Sequence, residues 1–342
     1  MSKTVLIAMS GGVDSTYALL SLIKQGYEVT GVTFKINNNA NTIKSIEDAI
    51  KMAGLFNIKH IVVDYTDVFR DKVINNFIDT YKSGRTPNPC VICNKDIKFG
   101  ELNILRAKLG LDYIATGHYV NIEKINEKYY IKKALNKKKD QSYFLNQISP
   151  NILQYCIFPL GNVQTKEYVR QVLRDNNIEI ADKKDSQEIC FIEDDDCVKF
   201  LKEYVPENVG IIKNANNKII GKHKGACFYT IGQRRGLGVS CSKPVFIKKI
   251  DVDINEITVC EESDLYEDFV TIKNLNIFAP EFLDKELVGK IRYRSNEYEI
   301  ESLKMLNDSA NIKFKEKQKS ITPGQYLVAY YNEYLVFGGE IK

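Results

Sequence analysis

A short β-branched run, Thr4 to Met9, stops at Ser10-Gly-Gly-Val-Asp-Ser15 and passes directly into an apolar-rich segment from Asp14 to Gln25. A strand-sized apolar run followed by glycines and then helical periodicity predicts strand, loop and helix in that order. The alternation continues downstream. Glu28 to Lys35, His60 to Asp64 and Tyr113 to Ala115 predict strands, with helical patterns at Ile43 to Phe56, Val68 to Ser83 and Asn94 to Leu109. Strands that alternate with helices must pair in parallel, because each return crosses over through a helix. The first third is therefore α/β, a parallel sheet covered on both faces.

The texture then changes. Val120 to Lys133 predicts a hairpin, and Gln141 to Tyr204 carries helical periodicity interrupted at Pro150, Pro159 and Gly161. From about Pro206 the chain breaks into short alternating segments, including Phe228 to Ile231, Val245 to Asp251 and Ile257 to Cys260. Val270 to Ile277, Val288 to Tyr293, Asn311 to Phe314 and Tyr326 to Phe337 continue the pattern. The expectation is a catalytic α/β domain with a helical extension (1–205), a small central β-rich module (206–267) and a C-terminal β-barrel-like module (268–342). A chain of 342 residues is long enough for two or three such units.

Composition excludes more than it assigns. A net charge of +4 permits a polyanionic partner without demanding one. No apolar run approaches the 18 residues of a membrane span, so a soluble cytoplasmic protein without a membrane partner is expected. Eight cysteines are too sparse for a secreted disulfide scaffold, and each needs its own reading.

Ser10 to Ser15 lies where backbone N–H groups and a helix N-terminus converge on one anion site. The glycines let a phosphate approach the backbone, and Ser10 and Ser15 add hydroxyl donors. Asp14 would be repelled by phosphate, but makes sense as a partner of Mg²⁺ bridging pyrophosphate oxygens. No Gly-Lys-Ser/Thr follows, so this is not a Walker loop, nor is it the Gly-x-Gly-x-x-Gly dinucleotide turn. A second constellation is Arg85-Thr-Pro-Asn-Pro-Cys-Val-Ile-Cys-Asn-Lys95, with Cys90 and Cys93 ahead of a predicted helix. A third thiol, Cys190, lies in Lys184-Asp-Ser-Gln-Glu-Ile-Cys-Phe-Ile192. A structural zinc half-site would need a second ligand pair at similar spacing, and none is found. Cys156, Cys197, Cys227, Cys241 and Cys260 sit in apolar or strand-like settings and read as core or surface residues.

The loop resembles the SGGxDS signature of the PP-loop ATP pyrophosphatases, which adenylate an oxygen and release pyrophosphate. Over nearly its whole length the chain resembles the bacterial tRNA 2-thiouridylase family, MnmA. The matching stretches are MSGGVDS (9–15), GRTPNPCVICNKDIKF (84–99), ATGHY (115–119), KDQSYFL (139–145), KDSQEICFI (184–192), YTIGQRRGLG (229–238) and TPGQ (322–325). The resemblance implies that ATP adenylates the C2 oxygen of the wobble uridine in Lys, Glu and Gln tRNAs. A persulfide on Cys190 would deliver sulfur and Cys93 would assist release, ending as a Cys93–Cys190 disulfide. A cysteine desulfurase or sulfur relay protein would load the persulfide. The implied ATP site falls on Ala8, Met9, Ser10, Gly11, Gly12, Val13, Asp14 and Ser15, with Phe34 and Gly117. The flipped base would meet Asn88, Pro89 and Cys90. Further tRNA contacts would fall on His118, on Lys139, Asp140 and Gln141, on Arg292 and Tyr293, and on Gln325.

The sequence departs from the family in one place that bears on mechanism, because many members carry Asp where Cys90 stands. Cys90 with Cys93 and Cys190 would supply three soft ligands, enough for a four-iron four-sulfur ([4Fe-4S]) cluster with one iron open. The Asn-rich stretch Lys35 to Lys44 also lacks the acidic and aromatic residues expected after the second strand. Lys132, Lys133 and Lys137 to Lys139, the pair Lys183 and Lys184, Arg234 with Arg235, and Arg292 with Arg294 read as a phosphate-tracking footprint. A strand at Arg292 to Arg294 would project both arginines from one side. His60 and His223 read as structural. Two other functions fit less of the sequence. A ligase or amidotransferase adenylating a small molecule would not need the thiols, and a non-catalytic RNA binder would not need Asp14 and Ser15.

Overall fold

The computed structural model describes residues 2–183, 189–192, 194 and 196–342. The first domain opens with β1 (Thr4–Ala8), α1 (Val13–Lys24), β2 (Glu28–Lys35), α2 (Ala40–Leu55) and β3 (Lys59–Asp64). A long helix follows, built from α3 (Thr66–Phe69), a π-helical turn at Arg70–Ile74 and α4 (Asn75–Lys82). A second broken helix joins α5 (Pro89–Cys93), π-helical Asn94–Glu101 and α6 (Leu102–Lys108), and leads to β4 (Tyr113–Ala115). Pro89 occupies the first turn of α5, where its missing N–H costs nothing. Val5, Leu6 and Ile7 are fully buried; Val5 and Ile7 enter one hydrophobic cluster and Leu6 another, as the period of a strand covered on both faces requires.

The sheet order is β3-β2-β1-β4-β7, parallel throughout. Because β1 is flanked by β2 on one side and β4 on the other, the order reverses between β1 and β4, and ligands bind beyond strand ends at such a switch point. The strand β7 (Cys156–Ile157) lies inside the stretch with predicted helical periodicity. Two residues are too few for a period to show. Before it, β5 (Val120–Ile125) and β6 (Lys128–Lys133) form the expected hairpin. After it come α7 (Lys166–Asp175) and α8 (Cys197–Lys202).

The central module is a four-stranded sheet of β8 (Gly210–Lys213), β9 (Ile219–His223), β10 (Phe246–Asp251) and β11 (Glu256–Cys260) in the order β10-β11-β8-β9. Phe228 to Ile231, expected as a strand, instead follows a 3₁₀ turn at Ala226–Phe228 and runs through a turn; Phe228 packs into the cluster with Phe69 and Phe77. The last module contains β12 (Tyr266–Ile277), β13 (Val288–Lys290), β14 (Tyr298–Leu306), β15 (Ser309–Lys319), β16 (Tyr326–Tyr331) and β17 (Tyr334–Ile341). β12 pairs with both β15 and β17, closing a six-stranded barrel. The β5–β6 hairpin joins its outer edge through Tyr334 opposite Lys132, so the α/β domain and barrel share one sheet.

Candidate active site

Chain beyond β1 is held extended by two bonds to β2: Met9 N–H donates to Val32 O at 2.8 Å, and Thr33 Oγ1 donates to Met9 O at 2.8 Å. Gly11 then takes φ +60°, and a Cβ there would lie 2.5 Å from Ser45 O and 2.7 Å from Asp48 Cβ. Only glycine lets the loop turn left-handed while lying against α2. Ser15 Oγ organises the loop, accepting from the N–H groups of Ser10 and Gly12 at 3.3 Å each, lying 3.2 Å from Ser10 Oγ, and donating to Gly12 O at 3.1 Å. Val13 anchors the helix start in the core. Gly117, beyond the end of β4, abuts the same turn: a Cβ there would sit 2.9 Å from Ser15 N. Ala8 ends β1, and Phe34 on β2 packs edge-on against Tyr65, ring centroids 4.9 Å apart. The ten residues expected at the nucleotide thus lie at the strand ends around the switch point.

Tyr119, in the ATGHY stretch, and two lysines complete this loop. Asp14 Oδ1 accepts from Tyr119 Oη at 2.8 Å and from Lys166 Nζ at 2.5 Å. Lys183 Nζ donates to Gly11 O at 2.9 Å and to Asp48 Oδ2 at 2.6 Å. Lys183, expected with Lys184 in the RNA footprint, is thus bonded to the phosphate loop; Lys184 to Glu188 lie outside the described residues. The Asn-rich stretch after β2 caps α2, with Asn39 Oδ1 accepting from Thr42 N–H at 2.8 Å.

The thiols form a second cluster. Cys90 and Cys190 are reachable by solvent and Cys93 partly so, yet each is surrounded by enough protein that desolvation is the main influence on its acidity. They line a recess. Burial pushes Cys93 up to about 12 and Cys190 up to about 11, and raises Cys90 as well; the Lys98 ammonium opposes the rise in all three. Burial disfavours the charge on Lys98 itself, but Cys93, Cys90 and Cys190 together outweigh it and raise its pKa. Lys98 follows Cys93 by five positions through the π-helical segment. In an α-helix that spacing points the two side chains well apart, whereas the wider π turn brings them to one face.

The recess adjoins the phosphate loop. Phe99, next to Lys98, packs on the His118 ring at 5.6 Å between centroids, and His118 follows Gly117. His118 is buried, its Nδ1 2.8 Å from Thr116 Oγ1, and burial with Lys98 nearby keeps the ring neutral. The His118 ring, expected to contact RNA, is packed among Phe99 and Phe158. Cys93 and Cys190 stand as free thiols. Among the described residues no three His, Cys, Asp or Glu side chains stand together as a site for a single metal ion.

Several residues expected to touch tRNA make bonds and packing contacts within the chain. Asn88 stands at the N-cap position of α5 without a capping side-chain bond, its side chain bonding instead to Tyr143, and Pro89 is buried. Asp140 accepts from Ala134 N–H at 2.8 Å and from Ser142 Oγ at 2.7 Å, while Gln141 Oε1 accepts from Tyr119 N–H at 2.9 Å. Lys139 is half-buried beside them. Arg292 and Tyr293 lie in a turn past β13, not in the expected strand. Arg292 donates to Ser320 O at 2.6 Å and to Thr322 Oγ1, and Tyr293 packs on Phe144 at 4.3 Å. Lys132, Lys133 and Lys137 are paired with Glu123, Glu297 and Glu333, so hairpin and barrel carboxylates neutralise most of that expected basic run.

Gln325 makes the barrel's grip on the thiol-bearing loop. Its Nε2 donates to Thr86 O at 3.1 Å and Pro87 O at 2.9 Å, and Thr86 N–H donates to Pro323 O at 2.8 Å. Replacing Gln325 by alanine removes two hydrogen bonds worth about 1 kcal/mol each. Sulfur transfer should slow by roughly tenfold with ATP affinity unchanged. Single-turnover thiolation beside equilibrium ATP binding separates the two, and a parallel loss of both would refute this role.

A serine-glycine phosphate loop at the switch point of a parallel sheet, followed by two β modules, defines a PP-loop nucleotide-binding protein. Family models described as "tRNA methyl transferase HUP domain", "tRNA methyl transferase PRC-barrel domain" and "Aminomethyltransferase beta-barrel domain" match residues 3–194, 198–261 and 268–341. The tRNA-specific 2-thiouridylase MnmA of Clostridium acetobutylicum is 39% identical, with 100% of each chain covered. MnmA 1 of Caldanaerobacter subterraneus subsp. tengcongensis is 40% identical over 100% of this chain and 98% of its own. MnmA of Clostridioides difficile is 37% identical over 100% of this chain and 99% of its own. The chain belongs to the tRNA-specific 2-thiouridylase (MnmA) family.

Proposed function

We propose that this protein catalyses ATP-dependent 2-thiolation of the wobble uridine of tRNA, a sulfurtransferase reaction. The observation that carries this reading is the junction of phosphate loop and thiol recess, through Gly117 against Ser15 and through His118 against Phe99. An adenylating ligase would have no use for solvent-reachable thiols beside its nucleotide. Adenylation forms a bond from the uridine C2 oxygen to the α-phosphorus of ATP, and the electron pair of the broken bond leaves with pyrophosphate. The loop N–H groups, the α1 N-terminus and Ser10 receive the phosphates. Mg²⁺, where it accompanies the nucleotide, would neutralise pyrophosphate oxygens beside Asp14.

The terminal sulfur of a Cys190 persulfide then bonds to C2. Cys93 thiolate attacks Cys190 Sγ, the persulfide S–S bond breaks, and its electron pair stays with the transferred sulfur as AMP departs. Two thiol equivalents end as a Cys93–Cys190 disulfide, which an external dithiol reduces. A cysteine desulfurase or relay protein supplies the persulfide, and the substrates are tRNAs for Lys, Glu and Gln. The setting is the cytoplasm, in keeping with a structure in which no helix among the described residues is long and apolar enough to cross a membrane.

Nucleoside mass spectrometry of tRNA incubated with the protein, Mg-ATP and a persulfide-generating desulfurase tests the reading. Uridine should gain the mass difference of sulfur for oxygen at the wobble position, and no gain would refute it.

A further inference from the structure

A phosphate loop of this kind lacks the lysine that a Walker loop carries within its own sequence, yet two lysines reach it from far along the chain. Lys166 is the first residue of α7, held there by the Thr165 cap, and its Nζ meets Asp14 at 2.5 Å. Lys183 lies past the end of the following 3₁₀ turn, and its Nζ lies between Asp48 Oδ2 at 2.6 Å and the loop carbonyl of Gly11 at 2.9 Å. One arginine ties the two supports together: Arg170, a turn after Lys166 on α7, donates to Ala181 O and, at 2.9 Å, to Lys183 O. The helix and the turn thus present both ammonium groups as a unit at the edge of the nucleotide loop.

We propose that Lys166 and Lys183 are pyrophosphate-binding residues, which exchange Asp14 and Asp48 for the β- and γ-phosphates when ATP occupies the loop. The assignment rests on the ATP-dependent reading above. The loop amides can bind an anion, but they add no full positive charge, whereas the triphosphate carries several negative ones. While the loop is empty, the Asp14 and Asp48 carboxylates hold the two ammonium groups at its edge. Each ammonium sits on a four-carbon stem whose rotation carries the charge from carboxylate to phosphate without backbone movement. In the adenylation step the electron pair leaves with pyrophosphate, and the same two cations stabilise the charge that develops there. They touch the leaving group and not the adenosine.

Binding of Mg-ATP, Mg-pyrophosphate and AMP to wild type, Lys183→Met, Lys166→Met and Lys183→Arg, measured by calorimetry alongside thermal melting, tests this. Each methionine variant should bind Mg-ATP and Mg-pyrophosphate about 10- to 100-fold more weakly, the range of one charge-assisted hydrogen bond. AMP affinity should stay within about twofold, and Lys183→Arg should recover most of the loss. Equal weakening for AMP and pyrophosphate, or unchanged pyrophosphate binding, would overturn the assignment while the ATP-dependent reading stands. A wild type that binds neither Mg-ATP nor pyrophosphate overturns that reading, and the assignment with it. Should Lys183→Met fail to fold, Lys166→Met and Lys183→Gln carry the same comparison, and the same two outcomes decide it.

Discussion

Cys190→Ser should reduce sulfur incorporation into tRNA to background, a loss of roughly a thousandfold or more, while tRNA-dependent release of pyrophosphate from ATP continues. The two halves of the reaction use different parts of the molecule. Adenylation needs the loop at the end of β1 and a positioned uridine, and Cys190 lines the recess rather than that loop. Serine keeps the shape at a solvent-reachable position, so folding is not at issue. What it cannot do is hold a sulfane sulfur, because an oxygen bearing a terminal sulfur is not formed by a desulfurase. Cys93→Ala should show a different defect: Cys190 still accepts the persulfide and adenylation proceeds, but nothing attacks Cys190 Sγ to release the sulfur. Mass spectrometry of the intact protein would then find the persulfide accumulating on Cys190. Thiolation surviving in Cys190→Ser would sink the mechanism.

The strand-loop-helix at the amino end was legible because each part has a local cause: β-branched residues, paired glycines and a helical apolar stripe. That alone places the loop at a strand's carboxyl end, and the order β3-β2-β1-β4-β7 puts Gly117 across from it. The thiols were legible as residues but not as a recess, since neither Lys98 nor its relation to Cys93 follows from spacing unless the helix is known to widen there. Lys166 and Lys183 escaped for another reason. They lie 152 and 172 positions from the residues they touch, and a lysine in sequence reads equally well as a solvated face or an RNA contact. Arg292, Asp140 and Gln141 show the converse: polar residues in motifs suggested contact with a partner, and the structure adds hydrogen bonds that join them to other segments of this chain.

Alkylation of Cys93 and Cys190 by iodoacetamide should quicken about tenfold per pH unit between pH 7 and 9, because only the thiolate reacts and both groups titrate well above that window. Desolvation sets the high values and Lys98 is the cation that restrains them, so Lys98→Met should move both titrations further up. At a fixed pH the alkylation rate should drop by about tenfold, with Lys98→Arg close to wild type and ATP binding unchanged in both. The sign carries over to stability. A thiol whose pKa rises on folding holds its proton more tightly in the folded state, so its contribution is complete below the unfolded value of about 8.5 and is lost as pH climbs through the folded ones. The urea midpoint should therefore decline from pH 8.5 upward, toward about 11 for Cys190 and about 12 for Cys93, and Cys93→Ala should flatten part of that decline. Lys98→Met with unaltered alkylation rates across this range would show that the ammonium does not act on the thiols, and would leave the persulfide chemistry without its local cation.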